Sequence, residues 1–265
     1  MGGGTKTMKL AASDFDGTLY KEEGICLDNV SSIRKWRAAG HKFGVITGRD
    51  HGMLLPQLRH FGIEDDFAIC NNGAIIFDGQ GELLYQAAIP PYLLERIATH
   101  ACVAASLHIA FSQADTTCLY RQREPSWILR EAKQWEYHLT RIDKGQISML
   151  QTVQQISLGF EQLEDAADCT QRLNQEFGDE IRAYQNRGSV DITPACISKS
   201  QGIRLLLERL QWQQNTELYV IGDEANDLPM ICAFDGYAVA SAREEIRQAA
   251  KRTFMTVGSM LREYI

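Results

Sequence analysis

The sequence predicts an α/β fold: a parallel sheet covered by helices on both faces, interrupted by an α+β insertion. Three observations carry this. Residues 8–77 alternate short apolar runs with helical patterns in a β-α-β-α-β order with short connections, the arrangement of a parallel sheet buried on both sides. The middle third changes to hairpins and antiparallel character. After Pro194 the alternation of strand and helix resumes. The expected division is a discontinuous core, 8–82 and 190–265, around an inserted domain, 83–189.

In chain order, residues 9–13 read as a first strand. Asp28 is placed to cap a helix to about 39, with Val30, Ile33 and Trp36 at helical spacing and Gly40 as its stop. Residues 42–46 are a second strand, Asp50 caps a helix to about 61, and 67–70 are a third strand. Asp78-Gly-Gln-Gly81 joins 74–77 and 82–87 as a hairpin. Pro90-Pro91 opens a helix to about 105. Strands are expected at 108–112, 117–121, 155–160, 181–186 and 189–193, with a helix at 164–177; 125–145 is polar and fits neither period. Beyond Pro194, helices are expected at 200–210, 227–233 and 243–249, and strands at 217–221 and 236–240.

Composition narrows the function. A chain of 265 residues with 45% hydrophobic and 23% charged residues suits a globular protein of one large or two small domains. The net charge of −7 argues against a sequence-independent nucleic-acid binder, which carries a basic stripe. No apolar run reaches the roughly 18 residues of a membrane helix, and the first residues lack the apolar stretch of a signal peptide. Seven cysteines, an odd number without a C-x-x-C pair, are read as reduced thiols of a cytoplasmic protein. The six histidines lack metal-ligand spacing. Residues 1–7 read as a flexible extension.

The chemistry concentrates at strand ends. Asp14-Phe15-Asp16-Gly17-Thr18-Leu19 follows the first strand. Carboxylates at i and i+2 project toward one side, and two anions that close repel unless a cation lies between them. Mg²⁺, held by few carboxylates and several waters, is such a cation. The same hexamer is also what a simple acidic turn looks like. Thr47-Gly48-Arg49 ends the second strand, where a hydroxyl and backbone N–H groups at a helix start form an anion site or only a helix cap. Lys199 opens the helix after the insertion, against the helix dipole, which points to a functional cation or to a solvated lysine. Gly222-Asp223-Glu224-Ala225-Asn226-Asp227 crowds another strand end with acids; an acidic cap, with Asp223 or Asn226 serving the next helix, is the plainer reading. Cys70-Asn71-Asn72-Gly73 is a turn to which a supporting role for Asn71 is assigned.

These motifs in this order resemble the haloacid dehalogenase (HAD) superfamily, and within it the Cof-type phosphatases, over residues 9 to about 250. The resemblance implies a Rossmann-like core with an inserted C2B-type cap. It implies Asp14 as the nucleophile that forms an aspartyl-phosphate and Asp16 as general acid and base. It implies Thr47, Gly48, Lys199 and Asn226 around the substrate phosphate. Mg²⁺ would be held by Asp14, Asp223 and the backbone carbonyl of Asp16, with Asp227 and Asn71 in support. Only 33 positions separate Asp14 from Thr47, whereas 152 separate Thr47 from Lys199, which puts the cap in the C2 rather than the C1 position. Two departures stand out: Ala240-Ser241-Ala242 lacks the Asn often found there, and Ser200 follows Lys199 where Gly is common. The expected reaction is Mg²⁺-dependent hydrolysis of a small phosphorylated metabolite, a sugar phosphate or a phosphorylated cofactor, by a monomer or weak homo-oligomer. The rivals are a sugar phosphomutase of the same superfamily and a catalytically silent phosphate-binding regulator.

Overall fold

The computed structural model describes residues 7–214 and 216–265; residues 1–6 of the expected extension lie outside them. The strands are β1 (Met8–Asp14), β2 (Lys42–Ile46), β3 (Phe67–Cys70), β4 (Ile75–Asp78), β5 (Leu83–Gln86), β6 (His108–Ser112), β7 (Thr117–Gln122), β8 (Leu139–Arg141), β9 (Gln155–Gly159), β10 (Ile181–Asn186), β11 (Ser189–Pro194), β12 (Thr216–Gly222), β13 (Tyr237–Val239) and β14 (Arg252–Phe254). The helices are α1 (Leu27–Ala38), α2 (His51–His60), α3 (Pro91–Ala98), α4 (Trp127–Gln134), α5 (Lys144–Ile147), α6 (Leu163–Phe177), α7 (Lys199–Arg209), α8 (Leu228–Ala233), α9 (Glu244–Ala249) and α10 (Val257–Tyr264).

Among the described residues the strands form two sheets. The larger has the order β14-β13-β12-β1-β2-β3-β4-β5. It is parallel from β14 to β3 and ends in the antiparallel hairpin β4–β5. β1 is central, and Leu10, Ala11 and Ala12 are fully buried, as a strand covered on both faces requires. Gly44 sits in β2 despite its poor strand propensity because a Cβ there would lie 2.4 Å from the Phe67 ring and carbonyl. The smaller sheet has the order β10-β11-β9-β6-β7-β8 and is antiparallel except for the β7–β8 pair. Each sheet has its own apolar core, one around Phe15, Trp36, Phe43 and Phe67, the other around Phe111, Ile156, Leu158 and Leu173.

Several expectations shift. Residues 83–86 pair with β4 in the larger sheet, and 189–194 pair with β9 and β10 in the smaller one. Hairpin pairing keeps each strand with its neighbour, so the ladders divide the chain a few residues beyond the expected joints at 82/83 and 189/190. Asp28 does not cap α1. Cys26 is the flanking residue, and Asp28 instead accepts hydrogen bonds from Thr256 and Arg262, tying α1 to α10. The helix after Pro90 stops at Ala98 rather than about 105, because His100 accepts the Cys102 N–H at 3.2 Å and starts a separate 3₁₀ turn, Ala101–Val103. The ambiguous stretch 125–145 holds α4, β8 and part of α5. β14 and α10 were not foreseen. α10 begins with a reciprocal cap in which the Thr256 hydroxyl accepts the Ser259 N–H and the Ser259 hydroxyl accepts the Thr256 N–H.

Candidate active site

The parallel register brings the expected strand ends together. Asp14 pairs with Ile46, and Ser13 with Ile221, so Asp14, Thr47 and the loop after Gly222 lie along one edge of the larger sheet. Ligands of open α/β sheets bind outside such carboxyl ends. Between this edge and the smaller sheet lies a cavity of about 150 Å³ that Asp14, Asp16, Thr47, Gly48, Arg49 and Asn226 line from one side.

Lys199 is fully buried beneath it. It opens α7, whose N-cap Ser198 accepts the Gln201 N–H. A cation is disfavoured there by the helix dipole. Two carboxylates reverse that balance: the Lys199 ammonium donates to Asp14 Oδ1 and to Asp227 Oδ1, each at 2.6 Å. Burial alone would lower the Lys199 pKa, but Asp14 and Asp227 outweigh it and hold the group above its ordinary value. The solvated-lysine reading of Lys199 is thereby excluded.

The carboxylates of Asp14, Asp223 and Asp227 offer oxygens within 4.8 Å of one another. One ammonium faces three buried carboxylates. Burial first, and the Asp227 charge second, raise Asp14 well above its usual range against the pull of Lys199. The same two causes bring Asp223 to about 6. The acids divide their work. Asp227 Oδ2 accepts the backbone N–H groups of Asp223 and Glu224 at 2.9 and 3.0 Å. It shapes the loop while its other oxygen holds Lys199, so the expected capping by Asp223 or Asn226 does not occur. Asp223 Oδ1 accepts the Thr18 hydroxyl at 2.7 Å. Asp14 Oδ2 is buried without a partner, an arrangement that costs free energy unless a cation or donor meets it. Gly17, at φ +84°, keeps the space open: a Cβ there would fall 2.2 Å from Asp223 Oδ2. An orphaned carboxylate oxygen, an excess of buried negative charge and an all-oxygen donor set fit a hard divalent cation.

The Asp16 carboxylate turns away from this group. Arg49 grips it with both arms, Nη2 to Oδ1 at 2.7 Å and Nε to Oδ2 at 2.8 Å, and extends Nη1 to Glu131 of α4 at 2.8 Å. Burial disfavours the guanidinium charge, but Asp16 and Glu131 more than restore it. The Thr47 hydroxyl accepts the Arg49 N–H at 3.1 Å. Gly48 contributes its backbone: its carbonyl accepts from Gln155 at 2.8 Å, and a Cβ would crowd Asp191 and Asn72 at 3.0 and 3.1 Å. The asparagine that reaches Asn226 is Asn72, at 3.0 Å, not Asn71, whose amide points to the Gln113 carbonyl at 3.5 Å. Both residues have left-handed backbones, φ 48° and 55°, and the turn aims only the second at the site.

A profile of the haloacid dehalogenase-like hydrolase family matches residues 11–257. The chain belongs to that family. It is a haloacid dehalogenase-like hydrolase. Pyridoxal phosphate phosphatase YbhA of Escherichia coli is 23% identical over 262 residues, covering 92% of each chain. In fold, the chain is similar to a haloacid dehalogenase-like hydrolase from Bacteroides thetaiotaomicron, with TM-score 0.80 and 19% identity over 97% of this chain and 100% of that one. It is also similar to BT4131, a HAD subclass IIB sugar phosphatase, with TM-score 0.79 and 20% identity over 97% and 99%.

The residues of this HAD hydrolase that sequence reasoning missed come mainly from the smaller sheet and α4. Ser157, Asn186, Ser189 and Asp191 line the far wall of the cavity. Asp191 accepts from Ser157 at 2.8 Å and from Asn72 at 3.2 Å, and burial raises its pKa to about 6. Trp127 of α4 also reaches the cavity. Arg121 donates to the Val103 carbonyl, and Trp135 packs on His60 and Phe61. Arg49 carried a readable signal in Thr47-Gly48-Arg49, but its partner Glu131 carried none. Among the described residues no helix is long and apolar enough to cross a membrane.

Proposed function

We propose that this HAD-like hydrolase is a phosphatase that cleaves a small phosphate monoester, with Mg²⁺, through an aspartyl-phosphate on Asp14. The observation that carries the reading is Asp14 itself: a buried carboxylate at the cavity floor, one oxygen fixed by Lys199 and the other without a partner. Asp14 attacks phosphorus, and the bond from phosphorus to the leaving oxygen breaks. Asp16 gives that oxygen its proton, then takes one from the water that attacks phosphorus and releases Asp14. Thr47, the Gly48 backbone and Asn226 line the cavity where the phosphoryl oxygens would lie, and Lys199 holds Asp14 in line. Asp14, Asp223 and the Asp16 carbonyl are the proposed Mg²⁺ ligands; the ion supplies charge neutralisation between nucleophile and phosphate. Both Asp16 oxygens are committed to Arg49, so proton transfer requires that pair to open, and an incoming phosphate is the anion that competes for Arg49.

The smaller sheet, with its flanking helices, is the proposed cap, of the C2B kind. Its hydroxyl, amide and carboxyl groups at Ser157, Asn186, Ser189 and Asp191 suit a polar leaving group of modest size. A sugar phosphate or a phosphorylated cofactor meets that description, as do the substrates in the names of BT4131 and YbhA. A screen of phosphorylated metabolites for phosphate release tests the assignment. Activation by a sugar bisphosphate with little net phosphate release would favour a mutase instead.

Two expected results follow from the assigned roles. EDTA stops turnover and Mg²⁺ restores it, while Asp223→Ala raises the Mg²⁺ concentration for half-maximal rate; an unchanged titration would place the ion elsewhere. Asp16→Ala slows hydrolysis of an alkyl phosphate by about 10²–10⁴-fold, the worth of one general acid. It leaves the first turnover of p-nitrophenyl phosphate nearly intact, because p-nitrophenolate departs without a proton. A pre-steady-state burst slowed as much as alkyl phosphate cleavage would make Asp16 a positioning residue.

A further inference from the structure

On the flank of the smaller sheet, away from the phosphate cavity, two thiols face each other. Cys102 lies in the 3₁₀ turn after α3 and Cys169 on α6, 67 residues apart in sequence, with their sulfurs at 2.9 Å. Cys102 is partly exposed and Cys169 is buried. The Cys102 sulfur also meets His100 Nδ1 at 2.9 Å, and the far nitrogen of that ring, Nε2, meets Glu176 at 3.0 Å. The four side chains form a relay, Glu176–His100–Cys102–Cys169, that the proposed phosphatase chemistry does not use.

We propose that this relay is a redox modification site, in which hydrogen peroxide converts Cys102 and Cys169 to a disulfide. The geometry gives each group one task. Glu176 orients His100, which takes the Cys102 proton. Cys102 is the attacking sulfur because it alone of the pair touches the imidazole and is partly open to solvent. Cys169 is the resolving thiol. The charges agree: the bond to Cys169, and then His100, lower Cys102 to about 7 despite burial, whereas the bond to Cys102 and burial raise Cys169. A thiolate at neutral pH in a partly exposed site is the reactive kind of cysteine. A zinc site fits less well, since two thiolates at about 2.3 Å from one tetrahedral ion stand roughly 3.8 Å apart.

The step balances. The Cys102 thiolate attacks one peroxide oxygen, and the O–O bond breaks. The departing hydroxide takes the proton held by His100 and leaves as water, with Cys102 a sulfenic acid. Cys169 sulfur then attacks Cys102 sulfur, the S–O bond breaks, and the hydroxide departs with the Cys169 proton as a second water. The two thiols are oxidised by two electrons and the peroxide is reduced. Closing the bond moves the sulfurs together by less than about 1 Å, to the usual 2.05 Å, and ties the turn after α3 to α6.

The test uses the full chain, which carries seven free cysteines. Exposed Cys26, Cys196 and Cys232 act as internal competitors. A few equivalents of hydrogen peroxide should lower the thiol count of the denatured protein from seven to five. A non-reducing peptide map should show the Cys102–Cys169 link, reversed by dithiothreitol. In Cys169→Ser the reaction should stop at a sulfenic acid on Cys102, trapped by dimedone, and His100→Ala should slow it several-fold. Oxidation falling first on Cys26, Cys196 or Cys232 in the unmutated protein, or a map without the link, overturns the proposal even if no variant folds.

Discussion

Asp14→Asn should yield a folded protein without turnover. An amide cannot form the acyl-phosphate, and loss of a nucleophile that works in concert with an acid and a base costs on the order of 10⁶ in rate. The change is nearly isosteric and leaves an oxygen for the Lys199 ammonium, which Asp14 now meets at 2.6 Å. It also removes one of three buried carboxylates that repel one another. The thermal melt should therefore hold or rise in metal-free buffer while phosphate release falls to background. The measurement pairs a phosphate-release assay with a melt followed by circular dichroism. Retention of about a hundredth of the wild-type rate, far above the loss expected for a nucleophile, would remove Asp14 from the role proposed for it.

Lys199→Met should have the largest effect on stability. Its ammonium neutralises Asp14 and Asp227 at full burial. Methionine fills the same volume but leaves those carboxylates facing each other and Asp223. Removing one member of a buried ion pair typically costs about 3–5 kcal/mol, which lowers the melting temperature by roughly 10 °C for a protein of this size. Asp227→Asn in the same chain should recover part of the loss by removing an uncompensated charge. The wild-type protein should show the same electrostatics in its pH dependence. Asp223 holds its proton to about 6 when folded, against 3.8 in the ordinary state. Between those values the folded chain binds the extra proton, so this contribution is complete below about 3.8 and is lost as pH rises through about 6. Without metal, stability should decline over that window, and Mg²⁺ should flatten the decline. A Lys199→Met melt at neutral pH equal to wild type would mean that the carboxylates are already protonated there and that the ammonium is not their counter-charge.

The strand-end motifs were legible because their signals are local. Apolar runs locate β1, β2 and β12, and a parallel ladder aligns their carboxyl ends. Residues 14, 47 and 223 are thus brought to one edge by register, without any side-chain contact having to be guessed. The Lys199 anomaly was legible as a mismatch between charge and helix dipole, but its two partners were not. Asp28 misled because a short acidic residue before an apolar pattern looks the same whether it caps its own helix or reaches one 228 positions away, as it does to Thr256. α10 stayed hidden for a related reason: its Thr256 cap is completed by Ser259 rather than by the Glu or Gln that marks a capping box.

What the sequence determined by itself is the order and type of the elements outside residues 125–147 and the last strand and helix, the interruption of a parallel sheet by an antiparallel one, and the acids, hydroxyl and lysine at the strand ends. Each follows from side-chain period or from residues adjacent in the chain. The tertiary structure alone decided which charges meet. It set Arg49 between Asp16 and Glu131, 82 positions from the latter, chose Asn72 over Asn71 to reach Asn226, and supplied Ser157 and Asp191 as the far wall of the cavity. Charge pairing and desolvation depend on separations of a few ångströms between segments distant in sequence. Those separations exist only once the two sheets have packed.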